Sequence, residues 1–286
     1  MIQKYIESDF PVSLYHTVAS HGWVHLAPWF WDGSARLGRA ERLKSGETVW
    51  VEIAQESDTS FAVEIDIEEL DLSEQSKILT SVIRWLSLQW EPLPAIRLAK
   101  RLDPRVAHFI EQGGGRFLRG STFYEDLIKT ICTINANWPF TVRMVESLVH
   151  QLGNQTFPTP VQIVDAGEEV LRRDLKLGFR ARVIAELSQG LLNKHVIDEE
   201  GNSVGESISF DDLIKLRGIG QYSASHIAML CHDFSHIPID SEVTHYCGLR
   251  YKLDPEAIES FFEPWGEYKF LGYKVGRILD HLNWTG

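Results

Sequence analysis

Cysteines and long apolar segments are both scarce in this sequence of 286 residues. The three cysteines, Cys132, Cys231 and Cys247, are odd in number and far apart, which argues against a disulfide framework and against a zinc site. No apolar run approaches the roughly 20 residues that a membrane span needs, and the first residues do not open like a signal peptide. We therefore expect an intracellular protein without a membrane partner.

Basic residues are also few, because 28 lysines and arginines face 40 acidic residues and the net charge is −12. This balance is unusual for a protein that binds nucleic acid, since such binding usually rests on cations at phosphates. The charge is uneven, however: residues 97–182 hold 13 basic and 9 acidic side chains. The pattern leaves open whether this segment forms a basic face or an ordinary mixed surface.

The hydrophobic pattern predicts a change of secondary structure along the chain. Apolar and polar residues alternate within residues 11–66, most clearly at 48–53 and 61–65, which is typical of half-buried antiparallel strands. Ser73 is expected to cap a helix with apolar residues at helical spacing, and helical patterns dominate from about residue 103. The sequence therefore predicts an α+β fold, with an N-terminal antiparallel sheet domain over residues 1–102 and a mostly helical body over residues 103–286.

The most informative segment is a glycine-containing turn between two predicted helices, at residues 210–216 and 222–231. Gly218 and Gly220 let the backbone turn tightly and leave no side chain to keep a ligand away. The amides at the start of the second helix, together with the positive end of its dipole, would form a phosphate site. A lone carboxylate, Asp240, follows Pro238. Taken singly, the turn is also compatible with a plain helix–helix connection, and Asp240 with a helix N-cap.

This combination resembles the helix-hairpin-helix and Gly/Pro-Asp element of the base-excision DNA glycosylases, in the branch of 3-methyladenine glycosylase II and 8-oxoguanine glycosylase. The resemblance implies a hairpin that holds double-stranded DNA containing a damaged base, through Arg217, Gly218, Gly220, Gln221 and Ser223. Asp240 would act at the sugar of an extruded nucleotide, where a carboxylate stabilises the developing positive charge and orients or deprotonates water. Two positions depart from the family pattern: Arg217 replaces the usual proline, and Glu242 replaces a histidine that often contacts a phosphate.

Two further segments match the family in order. Asn135 follows a predicted helix, at the position where relatives have an asparagine facing the orphaned partner base. Phe179 and Arg180 fall in a segment where relatives insert an aromatic wedge into the base stack and use the arginine to read the orphaned base. The alternatives are that Asn135 ends or caps a helix, that Phe179 is a core residue and that Arg180 is solvated.

Tyr222 indicates the subclass within the resemblance. Bifunctional relatives carry a lysine here, which forms a Schiff base and cuts the strand, whereas tyrosine cannot form an imine. We expect a monofunctional glycosylase that releases an alkylated purine and leaves an abasic site, with Tyr222, Tyr273 and Lys274 lining the base pocket. Two alternatives remain: a noncatalytic binder of DNA structure, and a bifunctional glycosylase for oxidised purines that uses another lysine.

The resemblance implies few additional ligands. Relatives with an iron–sulfur cluster have four closely spaced cysteines near the C-terminus, and this sequence has none there. The histidines His226, His232 and His236 are not spaced as a metal set. We expect a monomer without a metal site in its side chains; only the backbone carbonyls of the hairpin could hold a monovalent cation, as they do in relatives.

Overall fold

Five antiparallel strands form one sheet in the order β1-β5-β4-β3-β2. The structure is a computed structural model that describes residues 1–205 and 208–282. The strands are β1 (Ile2–Glu7), β2 (Trp29–Trp31), β3 (Arg36–Arg42), β4 (Thr48–Gln55) and β5 (Ser60–Ile65). In β4, Val49, Val51 and Ile53 alternate with more exposed residues and are buried, so the alternation correctly predicted β4 and β5.

The remainder of the described chain is mostly helical, as predicted. Shorter helical turns, of 3-10 or π type, occur at Gly22–His25, Leu148–Leu152, Pro255–Ala257 and Glu263–Tyr268. The α-helices are α1 (Leu14–Val18), α2 (Leu72–Trp85), α3 (Leu93–Leu102), α4 (Pro104–Glu111), α5 (Phe123–Thr133), α6 (Trp138–Ser147), α7 (Pro160–Arg173), α8 (Arg180–Asn193), α9 (Phe210–Leu213), α10 (Gln221–Leu230), α11 (Ser241–Tyr251), α12 (Ile258–Phe261) and α13 (Lys269–His281).

Two local predictions were wrong. The cap of α2 is Asp71, whose carboxylate accepts a hydrogen bond from the amide of Glu74 at 2.9 Å. Because the helix starts one residue before Ser73, that hydroxyl is left to accept a bond from the ammonium of Lys44 at 2.8 Å. The sheet also begins earlier than residue 11, since β1 pairs with β5; β1 was missed because only Ile6 among its residues is buried.

The chain forms two compact units that interleave in sequence. The first contains residues 1–89 and 116–206, and the second contains residues 90–115 and 207–286. The sheet, α1, α2 and α5–α8 belong to the first unit, whereas α3, α4 and α9–α13 belong to the second. The two units are defined by contacts between residues, whereas the predicted domains separate a sheet from a helical body. The predicted boundary at residue 102 therefore stays a prediction.

A buried cluster of charges joins the sheet to α5 in the first unit. The Nη1 and Nη2 atoms of Arg39, on β3, donate to the carboxylate of Glu125 at 3.0 and 2.9 Å. Lys129, one turn along α5, donates to the same carboxylate at 2.7 Å. Burial raises the pKa of Glu125, but the two cations outweigh burial and set it at about 2. The carboxylate is therefore the common acceptor of two buried cations.

We expect Glu125→Gln to lower the free energy of unfolding by about 3–5 kcal/mol, because it removes the carboxylate that pairs with the buried Lys129 and one of the two that pair with Arg39. Urea denaturation at neutral pH measures this loss. As a control, Glu169→Gln breaks an exposed pair with Arg173 and should cost less than about 0.5 kcal/mol. Equal losses in the two variants would contradict the assignment of a structural role to the buried cluster.

The same carboxylate predicts a pH dependence of stability. Its pKa is about 2 in the folded chain and 4.5 in its ordinary state, so only the unfolded chain takes up a proton as pH falls between these values. The stability that Glu125 provides is fully present above pH 4.5 and is lost towards pH 2. The difference in unfolding free energy between wild type and Glu125→Gln should therefore shrink over that range.

Candidate active site

The predicted helical hairpin lies in the second unit. Its first helix, α9, ends at Leu213, three residues earlier than predicted, and its second helix, α10, begins at Gln221. The turn is closed by two backbone bonds, from the amide of Leu216 to the carbonyl of Leu213 at 3.0 Å and from the amide of Ile219 to the carbonyl of Leu216 at 3.1 Å. The side chains of Leu213 and Ile219 are buried, so the hairpin is anchored by two apolar side chains that pack in the interior.

Glycine serves a different structural purpose at each of the two positions in the turn. Gly218 has a φ of +83°, in the left-handed region that side chains with a Cβ rarely adopt. Gly220 has an ordinary φ of −99° and precedes α10 without a side-chain cap. A Cβ added at Gly220 would meet nothing within 4 Å. The conformation therefore requires a glycine at position 218, whereas at position 220 glycine leaves open space before the first amides of α10.

The other hairpin residues differ in exposure. Arg217 and Gln221 are exposed, but Ser223 is only 1% exposed. Because this exposure includes its main chain, Ser223 offers no open surface to a ligand here. The first amides of an α-helix lack acceptors within that helix, so the more exposed residues 221 and 222 are the ones that can present backbone donors to the space that Gly220 leaves open.

Asp240 lies at the start of α11 in the same unit. One of its carboxylate oxygens accepts a bond from the amide of Val243 at 2.8 Å, which makes Asp240 the N-cap of this helix. Ile237 and Pro238, just before it, are buried, while Asp240 itself is half-buried. Within residues 1–205 and 208–282, no donor contacts its second oxygen. The cap thus orients the carboxylate and leaves one oxygen for other contacts.

Three side chains of α13, Tyr273, Lys274 and Arg277, interact with the start of this helix or with one another. Burial, followed by the nearby charge of Arg277, lowers the pKa of Lys274, while Glu242 and Asp240 act in the opposite direction. Arg277 donates to the hydroxyl of Tyr273 at 3.1 Å and forms an ion pair with Glu242. Lys274 therefore lies within electrostatic reach of Asp240, and Glu242 is engaged by an arginine of its own unit.

Two predicted pocket residues lie on different helices of this unit. Tyr222, on α10, is half-buried and its ring stacks on that of His226, with centroids 6.0 Å apart. Tyr273 is 2% exposed, and burial raises its pKa to about 12. The ring of Tyr222 is thus partly open to solvent, whereas that of Tyr273 is enclosed.

Sequence reasoning considered His226 only as a metal ligand and did not consider Arg277. Burial and the charge of Lys274 lower the pKa of His226 to about 3, so this imidazole is neutral at physiological pH. Arg277, which binds both Tyr273 and Glu242, was not singled out. A signal was available for both, because residues four apart share a helix face, and His226 and Arg277 follow Tyr222 and Tyr273 by four residues.

The remaining predicted residues lie in the first unit. Phe179 is 54% exposed and Arg180 is 2% exposed, so the alternatives of a core phenylalanine and a solvated arginine are wrong. The Nη2 atom of Arg180 donates to the carbonyl of Ile134, the C-cap of α5. Asn135 comes next, exposed and with a φ of +49°. The structure therefore links Arg180 to the segment that carries Asn135.

In the described ranges, no group of three or more histidine, cysteine or acidic side chains could hold a metal ion. The cysteines are free thiols. None of the helices described here has both the length and the apolar character to cross a membrane.

We expect Gly218→Ala to destabilise the protein by about 1–2 kcal/mol, because alanine is strained at a positive φ. Gly220→Ala should change stability by less than about 0.5 kcal/mol, since a weaker N-cap is offset by the reduced freedom of the unfolded chain. Urea denaturation of both variants measures the difference. Equal destabilisation would show that the two glycines serve the same conformational purpose.

Comparisons with known proteins bear on the fold. No family model matches the chain. The N-glycosylase/DNA lyase of Saccharomyces cerevisiae is 23% identical over 185 residues, which cover 56% of this chain and 48% of the relative. The chain thus matches about half the length of this curated relative.

Solved structures match over nearly the whole chain. A 3-methyladenine DNA glycosylase from Archaeoglobus fulgidus has a TM-score of 0.70 at 20% identity, covering 95% of this chain and 98% of that one. An 8-oxoguanine glycosylase/lyase from Clostridium acetobutylicum, in complex with double-stranded DNA, has a TM-score of 0.61 at 14% identity, covering 97% and 98%. This chain has the fold of the helix-hairpin-helix DNA glycosylases.

Proposed function

We propose that the protein is a monofunctional DNA glycosylase that extrudes a damaged base, an alkylated purine, from double-stranded DNA and hydrolyses its N-glycosidic bond. The observation that carries the proposal is Asp240. Its carboxylate is held by the first turn of α11, is half-buried, and belongs to the same compact unit as the hairpin. Its free oxygen and its place in that unit support a role for the carboxylate beyond that of a helix cap.

The hairpin would hold the DNA backbone. Phosphate oxygens accept hydrogen bonds from the amides at a helix N-terminus and are favoured by its dipole. The open space at Gly220 admits a phosphate to the first amides of α10, and Arg217 and Gln221 are exposed beside it. Carbonyls of the same turn are the candidate ligands for a monovalent cation.

Asp240 would act on the extruded nucleotide. As the bond from C1′ to the base nitrogen breaks, positive charge develops on the sugar, and an adjacent carboxylate stabilises that charge. Asp240 can also accept a proton from the water that adds to C1′. The base then leaves with the electrons of the broken bond, and an abasic site remains in the strand.

The base itself would meet Tyr222 first. A half-buried aromatic ring offers a stacking surface to a flipped base, and Tyr222 stacks on a neutral His226 behind it. Lys274 would close the pocket from α13, with the enclosed Tyr273 beside it in the interior. Because position 222 holds a phenol and not an amine, the proposed reaction proceeds through water. The protein would act as a monomer.

Asp240→Asn tests the catalytic role. Asparagine caps helices as well as aspartate does, so the fold should persist and the affinity for lesion-containing DNA should be retained. Base release should fall at least about 100-fold, the smaller end of what a positioned acid or base contributes. Asp254→Asn, at an exposed carboxylate of the same unit, is the matched control. Undiminished release in Asp240→Asn would reject the mechanism. If the protein binds damaged DNA but releases none of a set of alkylated, deaminated and oxidised bases, a noncatalytic binder is favoured.

One observation favours a bifunctional lyase as the second candidate. Lys274 lies within electrostatic reach of Asp240, and burial lowers its pKa, which increases the fraction of neutral amine that can attack C1′. Borohydride traps the imine that such a lysine forms with an abasic site. We expect no adduct with wild-type protein. An adduct that disappears in Lys274→Ala would establish the lyase.

A further inference from the structure

A cavity of about 580 Å³ lies within the first unit, between the end of β3, the helix α2 and the starts of α5 and α7. Its lining runs from exposed residues such as Lys44 and Ser73 to the buried Arg39 and Glu125. We call it the β3 cavity. Its volume falls within the range of about 300–1,000 Å³ that is typical of sites for small molecules.

The β3 cavity lies away from the segment of the first unit that is predicted to meet DNA. Thr122, the N-cap of α5, lines the cavity, whereas Asn135 follows the other end of the same helix. The 11 residues of α5 separate these ends by roughly 16 Å, at about 1.5 Å per residue. A ligand in the cavity would therefore not occupy the predicted place of the partner base.

Cations outnumber carboxylates in the lining of this cavity. Five lining residues are lysine or arginine and three are glutamate. Arg39 pairs with both Glu41 and Glu125. Lys77 pairs with Glu200 at 2.9 Å. The lining thus carries two more positive charges than negative ones, on a chain whose net charge is −12.

Charges behind the lining do not change this difference. Arg84, the fifth lining cation, pairs with Asp126, and Lys129 supplies an equal positive charge at the same depth. Two lining cations remain that form no ion pair with a carboxylate among the residues that the structure describes, namely Arg42 and Lys44.

Arg42, at the end of β3, is half-buried and bound by neutral groups. Burial lowers its pKa, and the negative charge of Glu41 acts in the opposite direction. Its terminal nitrogens donate to three uncharged oxygens, those of the Gln162 side chain, the Gly153 carbonyl and the Thr156 hydroxyl. These acceptors leave part of the donor set of a guanidinium unused. Arg42 therefore has both charge and donors for an anion.

Lys44 and the start of α7 add to the positive character of the cavity. The ammonium of Lys44 donates to the hydroxyl of Ser73 at 2.8 Å, and its main-chain amide donates to the carboxylate of Glu74 at 2.6 Å. Glu74 thus engages the main chain of Lys44 and not its charge. The helix α7 begins after Thr159, a lining residue, and has no acidic residue in its first turn, so the positive end of its dipole is not offset by an acidic side chain there.

We propose that the β3 cavity binds a small molecule that carries a phosphate monoester, with Arg42 and Lys44 as the residues that hold the phosphate. A monoester carries close to two negative charges at neutral pH, which matches the two cations, whereas each phosphodiester of DNA carries one. The planar fork of an arginine fits phosphate oxygens. This inference goes beyond the proposed glycosylase function and does not rest on it.

Calorimetric titration of the whole chain tests the ligand class. The probes are inorganic phosphate, ribose 5-phosphate and ribose, which matches the second probe except for the phosphate. We expect ribose 5-phosphate to bind the wild-type protein and ribose not to bind at the same concentrations. Equal binding of the two sugars would overturn the inference, and so would the failure of both phosphate probes to bind.

Variants locate the binding in the cavity. Arg42→Gln should weaken ribose 5-phosphate binding about 10- to 100-fold, the effect of losing a hydrogen-bonded charge. Lys44→Gln should weaken it about two- to fivefold, as for an exposed ion pair. Lys194→Gln is the matched control, because it removes the same charge from an exposed residue of the same unit outside the lining.

An equal loss in Lys194→Gln and Lys44→Gln would reduce the effect to overall charge and overturn the inference. Arg42 also holds the start of α7 through Gln162, so Arg42→Gln is open to a loss of folding. In that case Lys44→Glu decides: it reverses the charge at the rim and should weaken binding more than Lys44→Gln does. Unchanged binding in Lys44→Glu would contradict the proposed site.

Competition distinguishes a small ligand from the DNA backbone. We expect undamaged duplex DNA to leave the dissociation constant of ribose 5-phosphate unchanged, because the cavity lies away from Asn135. Displacement of the sugar phosphate by duplex would make the cavity a DNA contact and overturn the inference. Base release from damaged duplex tests the proposed function separately, since neither result depends on the other.

Discussion

The carboxylate of Glu125 is the interaction on which the first unit depends. It receives two bonds from Arg39 on β3 and one from Lys129, and the attraction between these buried charges holds the sheet to the helix α5. The far end of that helix carries Ile134 and, directly after it, Asn135. The contacts of Glu125 and the helix α5 therefore connect the sheet to Asn135, which the sequence predicts to face the partner base.

The second unit also contains paired charges, but these are less deeply buried. The role proposed for Asp240 requires a carboxylate that is held in one orientation. The helix α11 orients one oxygen, and Glu242 engages Arg277, which in turn holds the hydroxyl of Tyr273. This pairing leaves Lys274 as the cation whose charge Asp240 and Glu242 both stabilise. The two carboxylates thus face two cations, Lys274 and Arg277, of the same unit.

The sequence correctly predicted the features that depend on residues close together in the chain. The alternation gave β4 and β5, the glycines gave the hairpin, and Asp240 is the helix cap that its position suggested. The failures concern properties that tertiary contacts decide. Neither the burial of Ser223 and Arg180 nor the stacking of His226 on Tyr222 can be seen in a one-dimensional pattern. The strand β1 escaped because its pairing with β5 comes from a distant part of the chain.

The open approach at Gly220 has a consequence for an acidic protein. A phosphate bound at the start of α10 would be held by main-chain amides, which carry partial and not full charges. Such contacts displace fewer condensed counterions from the duplex than lysines and arginines do. A chain with a net charge of −12 could then hold DNA with an affinity that changes little with ionic strength.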